Sequence, residues 1–250
     1  GEKAANRYII SNNKTALNVM QLFVMLKLVA FDKELTIDIC PLFETIEDLE
    51  NASDVMRSLY TNPTYLAHLQ KRKLKQNIML GFSDGTKDGG YLMANWAIYK
   101  AKQMLTSISR KYNVDVIFFD GRGGPPARGG GKTHKFYASL GPSIESKEVQ
   151  LTVQGQTISS NFGTLDSSKY NIEQLMSSGI LNKLNETDLT ISKDCYETMD
   201  NLSKISYDAY VKFKNHPKFL SYLEHMSTLK YYSKTNVGSR PSKRNSDDKL

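Results

Sequence analysis

The chain has 250 residues, of which 40% are hydrophobic, and its 33 Lys and Arg against 26 Asp and Glu give a formal net charge of +7. With 14 Tyr, 10 Phe and 1 Trp, the composition excludes disorder over the whole chain. The most apolar stretch, 16–31, is interrupted by polar residues such as Lys27, so no membrane span is expected. Cys40 and Cys195 are too few for a disulfide framework and no signal peptide is evident, which predicts a cytoplasmic protein.

Arginine is the scarcer of the two basic residue types, and it is clustered. Arg122 and Arg128 lie in one glycine-rich segment, and Arg240 and Arg244 lie near the C-terminus. A lysine excess is typical of a solvated surface, whereas arginine suits bidentate recognition of carboxylate or phosphate groups. The charge pattern therefore indicates an anionic partner, either a small substrate or a nucleic acid.

Apolar periodicity predicts strands that alternate with helices. The predicted strands are 35–43, 78–82, 114–119 and 149–153. The predicted helices with full ranges are 13–30, 91–112 and 134–140. Further helices are predicted to begin at the capping box of Thr45 and Asp48 and at Asn62-Pro63, and two or three more are predicted over 166–225. This alternation predicts a parallel sheet covered by helices. Four strands are too few for a closed eight-stranded barrel, so either the sheet is open or the chain forms part of a larger barrel.

Charged and glycine-rich segments follow the predicted strands. In chain order they are Glu44, the loop 83–90 with Asp84 and Lys87, the loop 120–134 with Arg122 and Arg128, and Gln154-Gly155. Ligands of parallel α/β folds bind at the carboxyl ends of the strands, and glycine lets backbone amides approach an anion. One such segment alone would be a tight turn, but several on one edge predict an anion-binding site.

Two of these residues, Glu44 and Asp84, also predict a metal site. Two hard oxygen ligands, completed by water and substrate oxygens, suit Mg²⁺ or Mn²⁺. Taken singly, Glu44 has the alternative interpretation of a carboxylate that complements a helix dipole, and Asp84 that of a turn residue.

Three nucleotide-binding patterns are incomplete. The segment that ends in Gly131-Lys132-Thr133 resembles a P-loop, but Pro126 stands where that motif and the dinucleotide-binding motif both need glycine. The two Arg-Gly-Gly repeats are fewer than RNA-binding segments of this type contain, so RNA binding is the weaker interpretation.

Three longer motifs follow in chain order: IMLGFSDGTKDGG, FFDGRGGPPARGGGKTH and VQLTVQGQTISSNFG. They are similar to the VMxGYSDSxKDxG, FHGRGGxxxRGGGPTH and RVTxQGExIxxxFG blocks of the phosphoenolpyruvate carboxylases of bacteria and plants. The resemblance implies part of a (β/α)8 TIM-type barrel with extra helices. It also implies a lyase that carboxylates phosphoenolpyruvate with bicarbonate, giving oxaloacetate and phosphate through carboxyphosphate and a metal-bound enolate. The full-length enzyme would be a cytoplasmic homo-oligomer that uses Mg²⁺ or Mn²⁺ and binds neither nucleic acid nor membrane.

The resemblance also implies a role for each matching residue. It assigns the metal to Glu44 and Asp84, catalysis and substrate binding to Arg122, Arg128 and Lys87, and substrate binding to Arg240 and Gln154.

Two features depart from the family pattern. The family's TAHPT motif, with its catalytic His, and its RAIPWxF segment are not found here, so we expect a fragment without turnover of its own: a partial barrel over 1–226 and a basic, mobile tail over 227–250. Asp120 replaces a family His that is linked to bicarbonate use, which is expected to impair ordinary catalysis unless Asp120 turns away or is protonated. The alternatives are a non-catalytic anion-binding module derived from this family and, further away, a nucleic-acid-binding protein that uses the basic tail.

Overall fold

A computed structural model describes residues 6–30, 34–123, 130–153, 155–184, 191–228 and 231. Five parallel strands form one sheet in sequence order, curled into a half-barrel with covering helices. The strands are β1 (Arg7–Ile10), β2 (Asp38–Phe43), β3 (Lys75–Leu80), β4 (Asp115–Gly123) and β5 (Val149–Val153). The predicted α/β class, with parallel strands and covering helices as in part of a TIM-type barrel, is confirmed.

The helices of the described residues lie between and after these strands. They are α1 (Ala16–Val29), α2 (Ile46–Tyr60), α3 (Pro63–Lys71), α4 (Phe82–Gly89), α5 (Tyr91–Lys111), α6 (Thr133–Ala138), α7 (Gly155–Phe162), α8 (Leu165–Leu184), α9 (Lys193–Lys214) and α10 (Phe219–Met226). The predicted helix 91–112 is therefore α5, and the helices predicted over 166–225 correspond to α8, α9 and α10.

The sequence predicts four strands, and the structure adds β1 at the edge of the sheet. Its four residues are too few to show a period, so the sequence pattern alone could not separate them from a loop. Parallel pairing with β2, in which Tyr8 lies opposite Ile39, defines the strand. The structure also begins β3 at Lys75, three residues before the predicted start at residue 78.

The segment 83–90 was predicted to be a loop, and this prediction is wrong because most of it is helix α4. Its two helical glycines each disfavour a helix by about 1 kcal/mol relative to alanine. Packing outweighs that cost: Phe82 is fully buried at the start of the helix. Asp84 in the first turn and Lys87 in the last turn also have the charges that complement the helix dipole. The residues after position 154 are likewise helical, as α7.

Helices α2 and α5 pack against each other and cover the central strands. Their inward faces carry apolar side chains at helical spacing, and these are fully buried: Leu49, Met56, Leu59, Ile98 and Leu105. Burial of each such side chain contributes roughly 1.5–3 kcal/mol of transfer free energy. This core fixes the ends of β2, β3 and β4, where the candidate site lies.

In the part of the chain that the structure describes, no helix is both long enough and apolar enough to cross a membrane. The predicted tail over 227–250 lies outside the described residues except for Ser227, Thr228 and Tyr231.

Candidate active site

Glu44 and Asp84 come together at the carboxyl ends of β2 and β3. Glu44 stands between β2 and the N-cap of α2, where the Thr45 side chain accepts a hydrogen bond from the Asp48 amide at 3.1 Å and the Asp48 carboxylate accepts one from the Thr45 amide at 3.0 Å. This capping box, predicted from the sequence, fixes the backbone at Glu44 and typically contributes about 1 kcal/mol. Asp84 lies in the first turn of α4, directly after β3.

Glycines at positions 81 and 85 allow the segment that carries Asp84 to lie close to Glu44. A Cβ atom at Gly81 would lie 3.1 Å from both Cα and Cγ of Glu44, and one at Gly85 would lie 3.2 Å from the Glu44 carbonyl oxygen. Real Cβ atoms rarely have contacts this short. The β3–α4 segment can therefore rest against Glu44 only because these two positions lack side chains.

The two carboxylates influence each other electrostatically. Burial, then the charge of Asp84 and a side-chain hydrogen bond with Asp84, raise the pKa of Glu44 above its ordinary value. A raised pKa is the expected result when two carboxylates share a site. The pair therefore favours either a shared proton or a cation between the two groups.

Lys87 lies one turn beyond Asp84 on the same helix. Its ammonium is 3.0 Å from a carboxylate oxygen of Asp84, and its side chain is well exposed. The end of α4 is held from both sides: the Ile46 amide donates to the Asp88 carboxylate at 3.0 Å, and the Lys214 ammonium of α9 donates to the Asp88 carbonyl at 2.9 Å. Three of the predicted site residues, Glu44, Asp84 and Lys87, are therefore brought together.

Arg122 lies near the carboxyl end of β4 and is buried, with 6% of its surface exposed. Its guanidinium carbon lies 4.2 Å from the Phe136 ring centre and 5.8 Å from that of Phe82, within the range of cation–π contacts. One terminal nitrogen donates to the Gly131 carbonyl at 3.4 Å. Burial lowers the pKa of Arg122 from its usual value, although arginine keeps its charge in proteins. Phe82 begins α4, so Arg122 lies next to the helix that carries Asp84.

An open cleft of about 580 Å³ lies beside Arg122, between α5, α6 and α9. Aromatic side chains and two further cations, Lys132 and Lys135, line it together with Arg122. A second cavity of about 50 Å³ lies toward β5 and α7 and is also lined by Arg122. The buried guanidinium thus faces two spaces, and its surroundings are positively charged.

Asp120 is bonded within the core, two residues before Arg122. It lies on the same face of β4 as Val116 and Phe118, which belong to the core. Its side chain is fully buried, and one carboxylate oxygen accepts hydrogen bonds from the Lys102 ammonium at 2.8 Å and the Tyr137 hydroxyl at 2.7 Å. Burial lowers the pKa of Lys102, and the charge of Asp120 opposes that effect. The Asp120 carboxylate is therefore already bonded to two residues to which the resemblance assigns no role.

Lys102 and Tyr137 are site-related residues that the sequence analysis did not select. One signal was present for Lys102: it lies four residues after Ile98 on α5, on the face that carries the core residues. A lysine at a core position needs a buried counter-ion. Nothing in the pattern points to Tyr137, which is indistinguishable from an ordinary aromatic core residue.

The other predicted site residues, Arg128, Gln154 and Arg240, lie outside the described residues. Among the described residues, no group of three or more His, Cys, Asp or Glu side chains could hold a metal by itself. The Glu44–Asp84 pair nevertheless fits Mg²⁺ or Mn²⁺, because Mg²⁺ keeps several waters and binds through one or two carboxylates with substrate phosphate. The chemistry of the donors therefore agrees with the cofactor that the sequence analysis expects.

The fold and the site define a half-barrel α/β protein with paired carboxylates and a buried arginine at the carboxyl ends of its strands. Comparison with known proteins identifies the family. The sequence profile of the family described as phosphoenolpyruvate carboxylase matches residues 1–250. Phosphoenolpyruvate carboxylase of Corynebacterium diphtheriae is 34% identical over 245 residues, which cover 98% of this chain and 27% of that relative. The chain therefore belongs to the phosphoenolpyruvate carboxylase family, as its motifs predict, and spans about a quarter of the curated relative's length.

Proposed function

We propose that this chain carries part of the site at which phosphoenolpyruvate is carboxylated with bicarbonate to oxaloacetate and phosphate. The observation that supports this most directly is the Glu44–Asp84 carboxylate pair on the strand ends, next to the helix that contacts buried Arg122. A carboxylate pair is suited to a divalent cation, and an arginine is suited to an anionic substrate. Membership of the phosphoenolpyruvate carboxylase family suggests which reaction this combination of groups would serve.

In this proposal Glu44 and Asp84 hold Mg²⁺ or Mn²⁺. The ion, when bound, supplies positive charge to the oxygens of the substrate. Lys87, whose ammonium contacts Asp84, lies close enough to share in binding the same anion. The roles of Arg128, Gln154 and Arg240 as further substrate ligands remain proposals of the sequence.

The proposed reaction has three steps. A bicarbonate oxygen attacks phosphorus, and the bond between phosphorus and the enol oxygen breaks, which gives carboxyphosphate and the enolate of pyruvate. Carboxyphosphate then releases phosphate and carbon dioxide, and the enolate carbon attacks the carbon dioxide to give oxaloacetate. The first step needs mainly positioning and positive charge around the phosphoryl oxygens, which Arg122 and Lys87 supply. The Phe82 and Phe136 rings against Arg122 exclude water from one side of the guanidinium, which strengthens its attraction for an anion.

Asp120 takes no part in proton transfer in this proposal. Its carboxylate is fully buried and bonded to Lys102 and Tyr137 on the helix side of the sheet. A group that abstracts a proton must reach the substrate within hydrogen-bond distance, whereas this carboxylate is fully buried and already accepts two hydrogen bonds. The base must therefore come from another residue, and we propose that this chain alone has no turnover.

The alternative is a non-catalytic anion-binding module derived from the same family. Calorimetry with phosphoenolpyruvate, with and without Mn²⁺, separates the two. A carboxylase site is expected to bind phosphoenolpyruvate more tightly with Mn²⁺ and to lose that gain in Glu44→Ala/Asp84→Ala. Equal binding with and without Mn²⁺ would favour the module, and no binding in either condition would refute the proposed function.

The expected cytoplasmic location also stays a proposal. Cys40, which is buried, and Cys195, which is exposed, are both free thiols, and this agrees with a reducing compartment.

A further inference from the structure

Three side chains from three elements form a buried cluster next to Arg122: Lys102 of α5, Asp120 of β4 and Tyr137 of α6. We call them the Asp120 cluster. The Lys102 and Asp120 side chains are 1% and 0% exposed, and their charged atoms are 2.8 Å apart. Lys102 and Tyr137 both donate to the same carboxylate oxygen. Because the pair is out of water, the attraction between its charges is screened little, and the carboxylate is held in one position.

Arg122 is the second cation in this part of the core. Both cations contact the Phe136 ring, with the Lys102 ammonium 5.1 Å and the Arg122 guanidinium carbon 4.2 Å from its centre. Asp120 is two residues before Arg122 on the same strand, and its charge acts to raise the pKa of Arg122 against the larger lowering by burial. Two buried cations therefore compete for one buried carboxylate.

Lys102 holds that carboxylate. Among the described residues no carboxylate lies within ion-pair distance of Arg122, whereas the Lys102–Asp120 pair is fully formed. The Nε atom of Arg122 and the second carboxylate oxygen of Asp120 are both buried and have no hydrogen-bond partner in the described part of the chain. Guanidinium is intrinsically the better partner for a carboxylate because of its fork of donors. Without Lys102, Arg122 is a buried cation close enough for the charge of Asp120 to act on its pKa.

We propose that Lys102 is a positioning residue for the anion site: it keeps Asp120 as its own counter-ion and so leaves the charge of Arg122 available to an anionic substrate. The proposal rests on the proposed function in so far as Arg122 binds the phosphate or carboxylate group of phosphoenolpyruvate. It goes beyond that function because it gives a role to two core residues that do not touch substrate. In this chain, Lys102 and Asp120 act together.

The test compares Lys102→Met with the double variant Lys102→Met/Asp120→Asn in the 250-residue chain. Calorimetry with inorganic phosphate, and with phosphoenolpyruvate and Mn²⁺, gives the affinities. We expect the single variant to bind at least about tenfold more weakly, because the uncompensated Asp120 pairs with Arg122. The double variant removes both charges, so its affinity is expected to return to within about threefold of the unchanged chain. Lys100→Met is the matched control, since Lys100 is two residues away on α5 and pairs with partly exposed Asp200.

A second measurement reads Arg122 without any ligand. Its Nε–Hε signal in nitrogen NMR, assigned by its loss in Arg122→Lys, is expected to shift and to exchange more slowly with water in Lys102→Met only. This measurement can fail independently of the proposed function. If the chain without substitutions binds no phosphoenolpyruvate, the proposed function is refuted, but the Nε–Hε signal still shows whether Arg122 pairs with Asp120. Thermal unfolding shows which variants are folded, and if Lys102→Met does not fold, Lys102→Gln replaces it. Equal loss of affinity in the single and double variants, or an Arg122 signal that does not change, would show that Lys102 is only a core residue and would overturn the proposal.

Discussion

Two carboxylate sites lie at the ends of neighbouring strands, and their charges are compensated in opposite ways. At the ends of β2 and β3, Glu44 and Asp84 are half-buried next to each other, and the charge of Asp84 helps to raise the pKa of Glu44. At the end of β4, Asp120 is fully buried and bonded to Lys102 and Tyr137. The first site has excess negative charge near water, which a cation can relieve, whereas the second is already neutralised within the core.

This difference separates a binding site from a structural site at the same edge of one sheet. A ligand that brings positive charge gains most where like charges are held together by the fold. A buried opposite-charge pair offers little to a ligand, but removal of one partner leaves an uncompensated charge in the core. Variants at the two sites should therefore respond differently to unfolding and to Mn²⁺.

Asp120→Ala is expected to have the largest effect on stability. It leaves the Lys102 ammonium buried among the Phe118, Phe136 and Tyr137 rings without a counter-ion. Removal of one partner from a buried ion pair typically lowers the free energy of unfolding by about 3–5 kcal/mol. Urea unfolding of the chain measures the change. Asp115→Ala on the same strand is the control, because its pair with Lys147 is exposed and 3.7 Å long, and such pairs contribute about 0–1 kcal/mol. Equal losses in the two variants would remove the distinction between the sites.

Glu44→Ala/Asp84→Ala is expected to change stability without metal by less than about 1 kcal/mol, because relief of the repulsion between the two carboxylates is offset by loss of the exposed Lys87–Asp84 pair and of the Asp84 charge in the first turn of α4. Mn²⁺ at about 100 times its dissociation constant is expected to stabilise the unchanged chain by about 2.7 kcal/mol and to have no effect on the double variant. Unfolding with and without Mn²⁺ measures both quantities. Glu47→Ala, an exposed carboxylate in the first turn of α2, should respond to Mn²⁺ like the unchanged chain. Stabilisation of the double variant by Mn²⁺ would place the metal elsewhere.

Gly81→Ala tests the close approach that creates the carboxylate pair. The new methyl group would meet Glu44 atoms at 3.1 Å, and overpacking of this kind costs roughly 1–3 kcal/mol. Since Glu44 must move, Mn²⁺ affinity should fall as well. Gly179→Ala is the matched control: outside its own stretch of α8, no atom of the described residues lies within 4 Å of its Cβ position, so it should gain about 0.5–1 kcal/mol. Unfolding and calorimetry of both variants give the comparison, and unaltered Mn²⁺ binding in Gly81→Ala would contradict it.

The local parts of both sites could be predicted from the sequence, and the long-range parts could not. Thr45 with Asp48 predicts the start of α2, and therefore the position of Glu44, because a capping box is formed within four residues. Helix α4 could not be predicted, because its glycines indicate a loop and its stability depends on contacts with Ile46 and Lys214.

The sequence pattern also could not predict that Lys102 pairs with Asp120. Lys102 is 18 positions away from it, and only the packing of α5 on β4 brings the two together. The family motifs identified Arg122, but they carry no information on which cation neutralises the neighbouring carboxylate. The residues predicted from motifs are thus those of the strand ends, and the residues found only in the structure are those that support them.

His68 provides the last and smallest test, since it is a buried titratable group with no closely bonded counter-ion in the described residues. Burial, and then the charge of Arg72, lower its pKa below the ordinary value, while Asp38 opposes them. Its ring also packs edge-on against Phe23 at 5.3 Å. The folded chain therefore keeps the imidazole neutral, and the unfolded chain takes up a proton at a higher pH. The contribution of neutral His68 to the free energy of unfolding is complete above about pH 6.5, the ordinary pKa of histidine. It is lost as the pH falls toward the lowered pKa of His68 in the folded chain.

We therefore expect the unfolding free energy of the unchanged chain to decrease on acidification below pH 6.5 more steeply than that of His68→Gln. The difference between the two curves isolates His68, because the carboxylates are common to both chains. His225→Gln, an exposed residue on α10, should retain the steeper slope. If His68→Gln and the unchanged chain show parallel curves between pH 7 and pH 5, His68 is not held neutral by burial. The contrast would then rest on the two carboxylate sites alone, where the presence or absence of a bonded opposite charge in the core separates Asp120 from the Glu44–Asp84 pair.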